Sequence, residues 1–204
     1  EEDENRHRVD LIQKCNERIA KIINHLRDFS RQSRFDFRQI EVNEPIENAL
    51  LITGQQLLNY NIRIVKNFQP DIPKIWGDAN QLEQVFLNLI SNAKDAMERG
   101  KHKRELTIST ALIRHNGWKD VQISVKDTGT GIPEENVEKI FEPFFSTKEV
   151  GKGSGLGLSI CYGIIEAHGG KIEVESKVDE GTTVRVILPV LGAHLGTAME
   201  WMEA

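Results

Sequence analysis

The apolar residues Ile12, Cys15, Ile19, Ile22, Leu26 and Phe29 recur at alternating intervals of three and four. This is the seam of a coiled coil or helical bundle, and Leu11 and Ile23 widen it. A lone helix of this kind leaves its apolar face uncovered, so the pattern predicts pairing with another copy or another helix. The polar stretch Ser30 to Arg38 ends the pattern.

From Gln39 the periodicity changes. Ile40 and Val42 predict a short strand, Pro45 opens a helix to about Tyr60, and Ile62 and Ile64 begin a second strand. Gly77-Asp78 introduces a long helix over about Asn80 to Glu98, with Leu82, Val85, Phe86, Leu89, Ile90, Ala93 and Met97 on one face. Two longer strands, roughly Leu106 to Ile113 and Val121 to Lys126, are joined at Asn116-Gly117, a hairpin signal. Pro133 suits the first turn of a short helix over Glu134 to Ile140, and Glu134 and Glu135 suit its dipole. Phe141 to Ser154 shows no regular period. A helix from Leu156 to Ala167 ends at Gly169-Gly170, and a last hairpin joins Lys171 to Ser176 with Thr182 to Val190. The order predicts an α/β (α+β) two-layer sandwich, about five strands in a mixed sheet with three main helices on one face.

The composition fits a globular chain with one substantial domain and an appendage: 204 residues, 39% hydrophobic and 28% charged. A net charge of −5 argues against broad nucleic-acid binding. Cys15 and Cys161 have no metal-like spacing and read as buried reduced thiols, which favours a cytoplasmic setting. No run approaches the ~20 apolar residues of a membrane span, and no signal peptide opens the chain.

Three segments carry chemistry. Residues 151 to 159 read Gly-Lys-Gly-Ser-Gly-Leu-Gly-Leu-Ser, so backbone N–H groups and the following helix terminus can face an anion, with Lys148 and Lys152 beside them. A flexible glycine loop reads the same way in isolation. Asn88, Asn92 and Asp95 project from one face of the long helix. Amide oxygens there suit a Mg²⁺ held mainly by phosphates and water; a solvated face or a packing hydrogen bond is the alternative. Asp127-Thr-Gly-Thr-Gly-Ile-Pro133 follows a strand, where the carboxylate can accept from an exocyclic amine and Gly129 and Gly131 admit a flat ring. An ordinary turn has the same composition.

Taken in order, these segments resemble the ATP-binding domain shared by bacterial sensor histidine kinases, DNA gyrase, Hsp90 and MutL, a Bergerat-type fold, over about residues 40 to 190. Asn88-Leu-Ile-Ser-Asn92-Ala is similar to the asparagine box, Asp127 to Pro133 to the first glycine box, and Gly151 to Gly157 to the second. Phe141-Glu-Pro-Phe-Phe145 resembles the phenylalanine box of histidine kinases. Residues 9 to 32, and particularly 22 to 30, resemble the second helix of the dimerisation hairpin. The resemblance implies ATP and Mg²⁺ as ligands, Asn92 on the metal, and Asn88 at the phosphates and their water. Asp127 would meet the adenine amino group, and Asp95 would line the adenine side. Lys94 would reach a phosphate or face solvent. Lys148, Lys152, Gly153, Ser154, Gly155, Leu156 and Gly157 would wrap the triphosphate beneath a lid over Phe141 to Ser154. Gly129, Gly131, Ile132, Phe145, Thr147 and Thr182 would complete the pocket. Phe144 and Phe145 read alternatively as core anchors.

The implied activity is Mg-ATP-dependent phosphorylation of a histidine, then transfer to an aspartate of a response regulator. The implied assembly is a homodimer through the N-terminal helix, with catalysis resting on Asn88, Asn92 and Lys148. His7 is followed by Arg8 and His25 by Leu26, so neither matches the family's acceptor motif; His102, His115, His168 and His194 read as incidental. The expectation is therefore that the acceptor lies outside these residues and that the chain does not label itself. A serine kinase of the same superfamily and a nucleotide-gated conformational ATPase are the alternatives. The implied domains are residues 1–36 (hairpin helix), 37–191 (kinase domain) and 192–204 (a tail or linker).

Overall fold

The computed structural model describes residues 36–100, 103–115, 118–148 and 153–190. The heptad stripe, His7, His25, His102, Lys152, His194 and the tail lie outside the described residues. The chain runs β1 (Arg38–Ile40), α1 (Asn43–Asn59), β2 (Arg63–Phe68), β3 (Ile75–Gly77), α2 (Ala79–Arg99), β4 (Glu105–His115) and β5 (Trp118–Asp127). It continues through α3 (Glu134–Val137), a 3-10 turn (Lys139–Phe141), α4 (Gly157–Ala167), β6 (Lys171–Lys177) and β7 (Gly181–Pro189).

The main sheet has five strands in the order β2-β4-β5-β7-β6, and β1 pairs with β3 in a separate two-stranded sheet. Among the described strands only β2–β4 pair in parallel, so that connection needs a crossover, which α2 supplies. Alternation decides the faces. In β5, Val121, Ile123, Val125 and Asp127 are buried on the helix side, whereas Gln122 and Ser124 turn to the other face. All seven apolar positions expected on the long helix are buried, each contributing about 1.5–3 kcal/mol for the larger side chains. They join residues of α1, α4 and the sheet in one core.

Some elements depart from expectation. Ile75-Trp76-Gly77 is a strand rather than the approach to the long helix; three residues are too few to show a period. Val42 ends no strand but precedes α1 in helical backbone geometry. The helix expected over 134–140 divides into α3 and the 3-10 turn.

His168 is not incidental. Its Nε2 accepts the Asp78 N–H at 3.0 Å while Nδ1 stands 2.7 Å from the Ile164 carbonyl, so the ring carries its proton on Nδ1. Burial holds its pKa below the ordinary histidine value, against the pull of those bonds. Asp78 caps α2: its Oδ1 accepts from the Asn80 and Gln81 N–H groups at 2.9 and 3.2 Å.

Candidate functional site

A cleft of about 330 Å³ opens between α2, the turn after β5 and the loop leading into α4, within the range that holds a small ligand. Asn88, Asn92, Asp95 and Arg99 line it from α2. Their spacings of four, three and four place them on one stripe beside the buried one.

Polar contacts join the walls. Asn88 Nδ2 donates to the Gly157 carbonyl at 3.4 Å, tying α2 to the start of α4. Lys148 Nζ stands 3.2 Å from Asn92 Oδ1 and 2.5 Å from Asp95 Oδ2. Burial disfavours the Asp95 charge, yet Lys148 and Lys94 outweigh it and hold the carboxyl below its ordinary value. Lys94 does not line the cleft: it lies 3.3 Å from Asp95 Oδ1 and 5.2 Å over the Tyr60 ring.

Asp127 closes the other end. It is 6% exposed, and the Gly129 N–H donates to its Oδ1 at 2.7 Å. Burial outweighs that bond and a second from the Thr182 backbone, and lifts the carboxyl to about 6. The turn admits no side chains at its glycines. A Cβ on Gly129 would stand 2.6 Å from Ala96 Cβ, and Gly131 has φ +68° with the Lys177 carbonyl where a Cβ would sit. The Ile132 N–H donates to Ser176 Oγ at 2.8 Å, and Ser176 meets Thr182 Oγ1 at 2.8 Å. Ile132, Thr182 and Val184 line the cleft here.

The loop supplies Phe145, Ser146, Thr147, Lys148, Gly153, Ser154, Gly155 and Gly157 as lining, while Leu156 is buried beneath. No side chain caps α4, so its first N–H groups remain for a ligand. Phe144 and Phe145 are not in the core. Phe144 is 64% exposed at φ 69°, its N–H donating to the Gly155 carbonyl at 2.9 Å, and Phe145 lines the cleft. Cys161 is buried as expected, its thiol pushed up to about 12 by burial.

The structure brings together all the expected site residues among those described except Lys94, Gly129 and Leu156, which stand behind the lining. Among the residues it adds are Ser91, Ala96, Arg99, Thr130 and Ser146. Arg99 could have been found from spacing, since it follows Asn92 by seven and Asp95 by four residues. Ser146 sits in a stretch without period, and nothing in the sequence marks it.

Among the described residues, no three His, Cys, Asp or Glu side chains gather to hold a metal. A metal here would depend on the Asn92 amide oxygen and on oxygens of its ligand, which suits Mg²⁺. Backbone donors at the start of α4 and the Lys148 cation form an anion-binding end, and Asp127 forms an acceptor end, where the Thr130 N–H donates to the Ala96 carbonyl one turn before Arg99.

The fold and cleft match known proteins. Residues 77–192 fit the family model described as Histidine kinase-, DNA gyrase B-, and HSP90-like ATPase. Sensor kinase CckA of Brucella abortus is 38% identical over 184 residues, covering 85% of this chain and 19% of that protein. The chain therefore spans about a fifth of that relative's length. The solved catalytic domain of histidine kinase ThkA is 33% identical with a TM-score of 0.63, over 76% of this chain and 95% of that one. ThkA in complex with response regulator protein TrrA is 29% identical with a TM-score of 0.69, over 88% of this chain and 49% of that one. No helix among the described residues is long and apolar enough to cross a membrane. With more than half its residues inside the family model, this chain belongs to the histidine kinase-, DNA gyrase B- and HSP90-like ATPase family.

Proposed function

We propose that this chain binds Mg-ATP in the cleft and is the catalytic region of a two-component sensor histidine kinase, passing the γ-phosphoryl group to a histidine and thence to an aspartate of a response regulator. The observation that carries the proposal is the placement of Asn92, Lys148 and the uncapped start of α4 at one end of a cleft whose other end is the buried Asp127.

In this reading Asp127 accepts from the adenine amino group, and its burial makes that acceptor selective, because a base without the donor would leave the carboxylate with only its Gly129 and Thr182 backbone bonds. Gly153 to Gly157 and the α4 terminus hold the phosphates through backbone N–H groups. Lys148 neutralises charge there, and Asn88 fixes the cradle against α2. Asn92 would hold Mg²⁺, which supplies charge neutralisation at the phosphates. Positioning and electrostatics then carry the transfer, in which a phosphorus–oxygen bond breaks and a phosphorus–nitrogen bond forms. The reading rests on the site geometry and on kinship with ThkA, whose complex with a response regulator suggests the second acceptor. Residues 37–191 would form the kinase domain. Dimerisation through residues 1–36 and a cytoplasmic setting belong to the same proposal.

The test combines γ-labelled ATP, Mg²⁺ and a separate hairpin carrying an acceptor histidine. Acid-labile label on the hairpin, with little on the chain alone, is expected. Acid-stable label would favour a serine kinase, and absence of ATP binding would overturn the site assignment.

A further inference from the structure

Seven residues before Asp127 along β5, roughly 23 Å away, the sheet carries a second cleft of about 330 Å³. Ile113, Ile187 and Pro189 form apolar walls, and Asp120, Lys171 and Glu173 are its charged groups. Asp120 stands directly between Ile113 on β4 and Pro189 on β7, on the face turned away from the helices. It is 7% exposed, yet among the described residues no hydrogen bond or ion pair reaches its side chain. Pro189 has no N–H to offer. Lys171, the nearest cation of the lining, is engaged with Glu173 at 2.6 Å. A carboxylate on the wall of the cleft with no protein donor leaves the cleft complementary to a cationic donor.

We propose that this cleft is a docking site for the guanidinium group of an arginine on a partner protein. Two carboxylates against one ammonium leave the lining net negative. No group of three metal-ligating side chains lies among the described residues, which disfavours a cation such as Zn²⁺. A guanidinium matches an unpaired carboxylate with two parallel N–H bonds, and its weakly hydrated flat faces suit walls of Ile and Pro better than an ammonium does. Trp118, two residues before Asp120 on the same face and 49% exposed, extends an apolar platform beyond the mouth for the main chain that presents the arginine. Residues 191–204, which follow Pro189 and Val190, contain no Lys or Arg, so the adjoining segment supplies no such group.

Amide chemical shifts of the labelled protein would be followed during titration with N-acetyl-arginine amide, the capped citrulline and lysine analogues, and free arginine. Capped arginine should saturate shifts at Ile113, Asp120 and Lys171, with citrulline and lysine at least about tenfold weaker. Asp120→Asn should weaken capped arginine by about tenfold or more while leaving ATP affinity unchanged. Citrulline or lysine binding as tightly on the unaltered protein, or full binding by Asp120→Asn, would overturn the proposal. Free arginine binding more tightly than the capped form would also overturn it, assigning the cleft to a small molecule instead of a protein.

Discussion

Lys148 and Asp95, 53 residues apart in sequence, meet at 2.5 Å across the mouth of the nucleotide cleft. The pair joins the loop to α2 before any ligand arrives. Both side chains are about a quarter exposed, so the contact contributes on the order of 1 kcal/mol. Asp95→Asn should accelerate amide exchange at residues 146–148 by roughly fivefold. The pair's stabilisation is present above the ordinary aspartate pKa and disappears as pH falls through the lowered one, so the difference between variant and parent should vanish in acid. Unchanged exchange at neutral pH would refute the contact.

Asn92 separates metal from nucleotide. The Asn92→Ala variant should lose the gain in ATP affinity that Mg²⁺ confers, while affinity measured with a chelator changes little. Calorimetry with and without the metal reads this directly; a preserved Mg²⁺ effect would remove Asn92 from the metal site.

Asp127 trades stability for recognition. Its carboxyl binds a proton more tightly folded, at about 6, than at the unfolded 3.8, so its contribution is lost as pH rises through that interval. The shift corresponds to roughly 3 kcal/mol. Asp127→Asn should therefore be more stable than the parent by up to about 3 kcal/mol above pH ~7, converging with it below pH ~4, and should bind ATP at least about tenfold more weakly. Denaturant melts across pH and an ATP titration check both. A variant less stable at pH ~8 would contradict the assignment.

Two glycines should respond oppositely to alanine. At Gly131 a Cβ would lie 2.1 Å from the Lys177 carbonyl at φ +68°, so Gly131→Ala should cost several kcal/mol and lower the melting temperature. Gly163, inside α4 with nothing within 4 Å of a Cβ, should gain about 0.5–1 kcal/mol as alanine.

The long helix was legible because it repeats a two-sided pattern over many turns, and every apolar position expected on it is buried. The same regularity let Asn88, Asn92 and Asp95 be placed on one face. What escaped was short or non-local. β3 has three residues, and its partner β1 lies 35 or more positions away. His168 owes its place to a backbone amide 90 residues distant, which no spacing records. Lys94 and Lys148 look equivalent as lysines near the boxes. Only tertiary packing sends one over Tyr60 and the other into the cleft.

The bond between His168 and Asp78 has a mechanical meaning. α4 is tied to α2 through Asn88 and Gly157 beside the cleft and through His168 and Asp78 at the far end, with the Cys161 thiol donating to the Val85 carbonyl at 3.8 Å between them. Two fasteners at opposite ends prevent the helices from sliding or pivoting past each other. The floor then behaves as a rigid bed, and the work done by an arriving nucleotide falls on the loop above it.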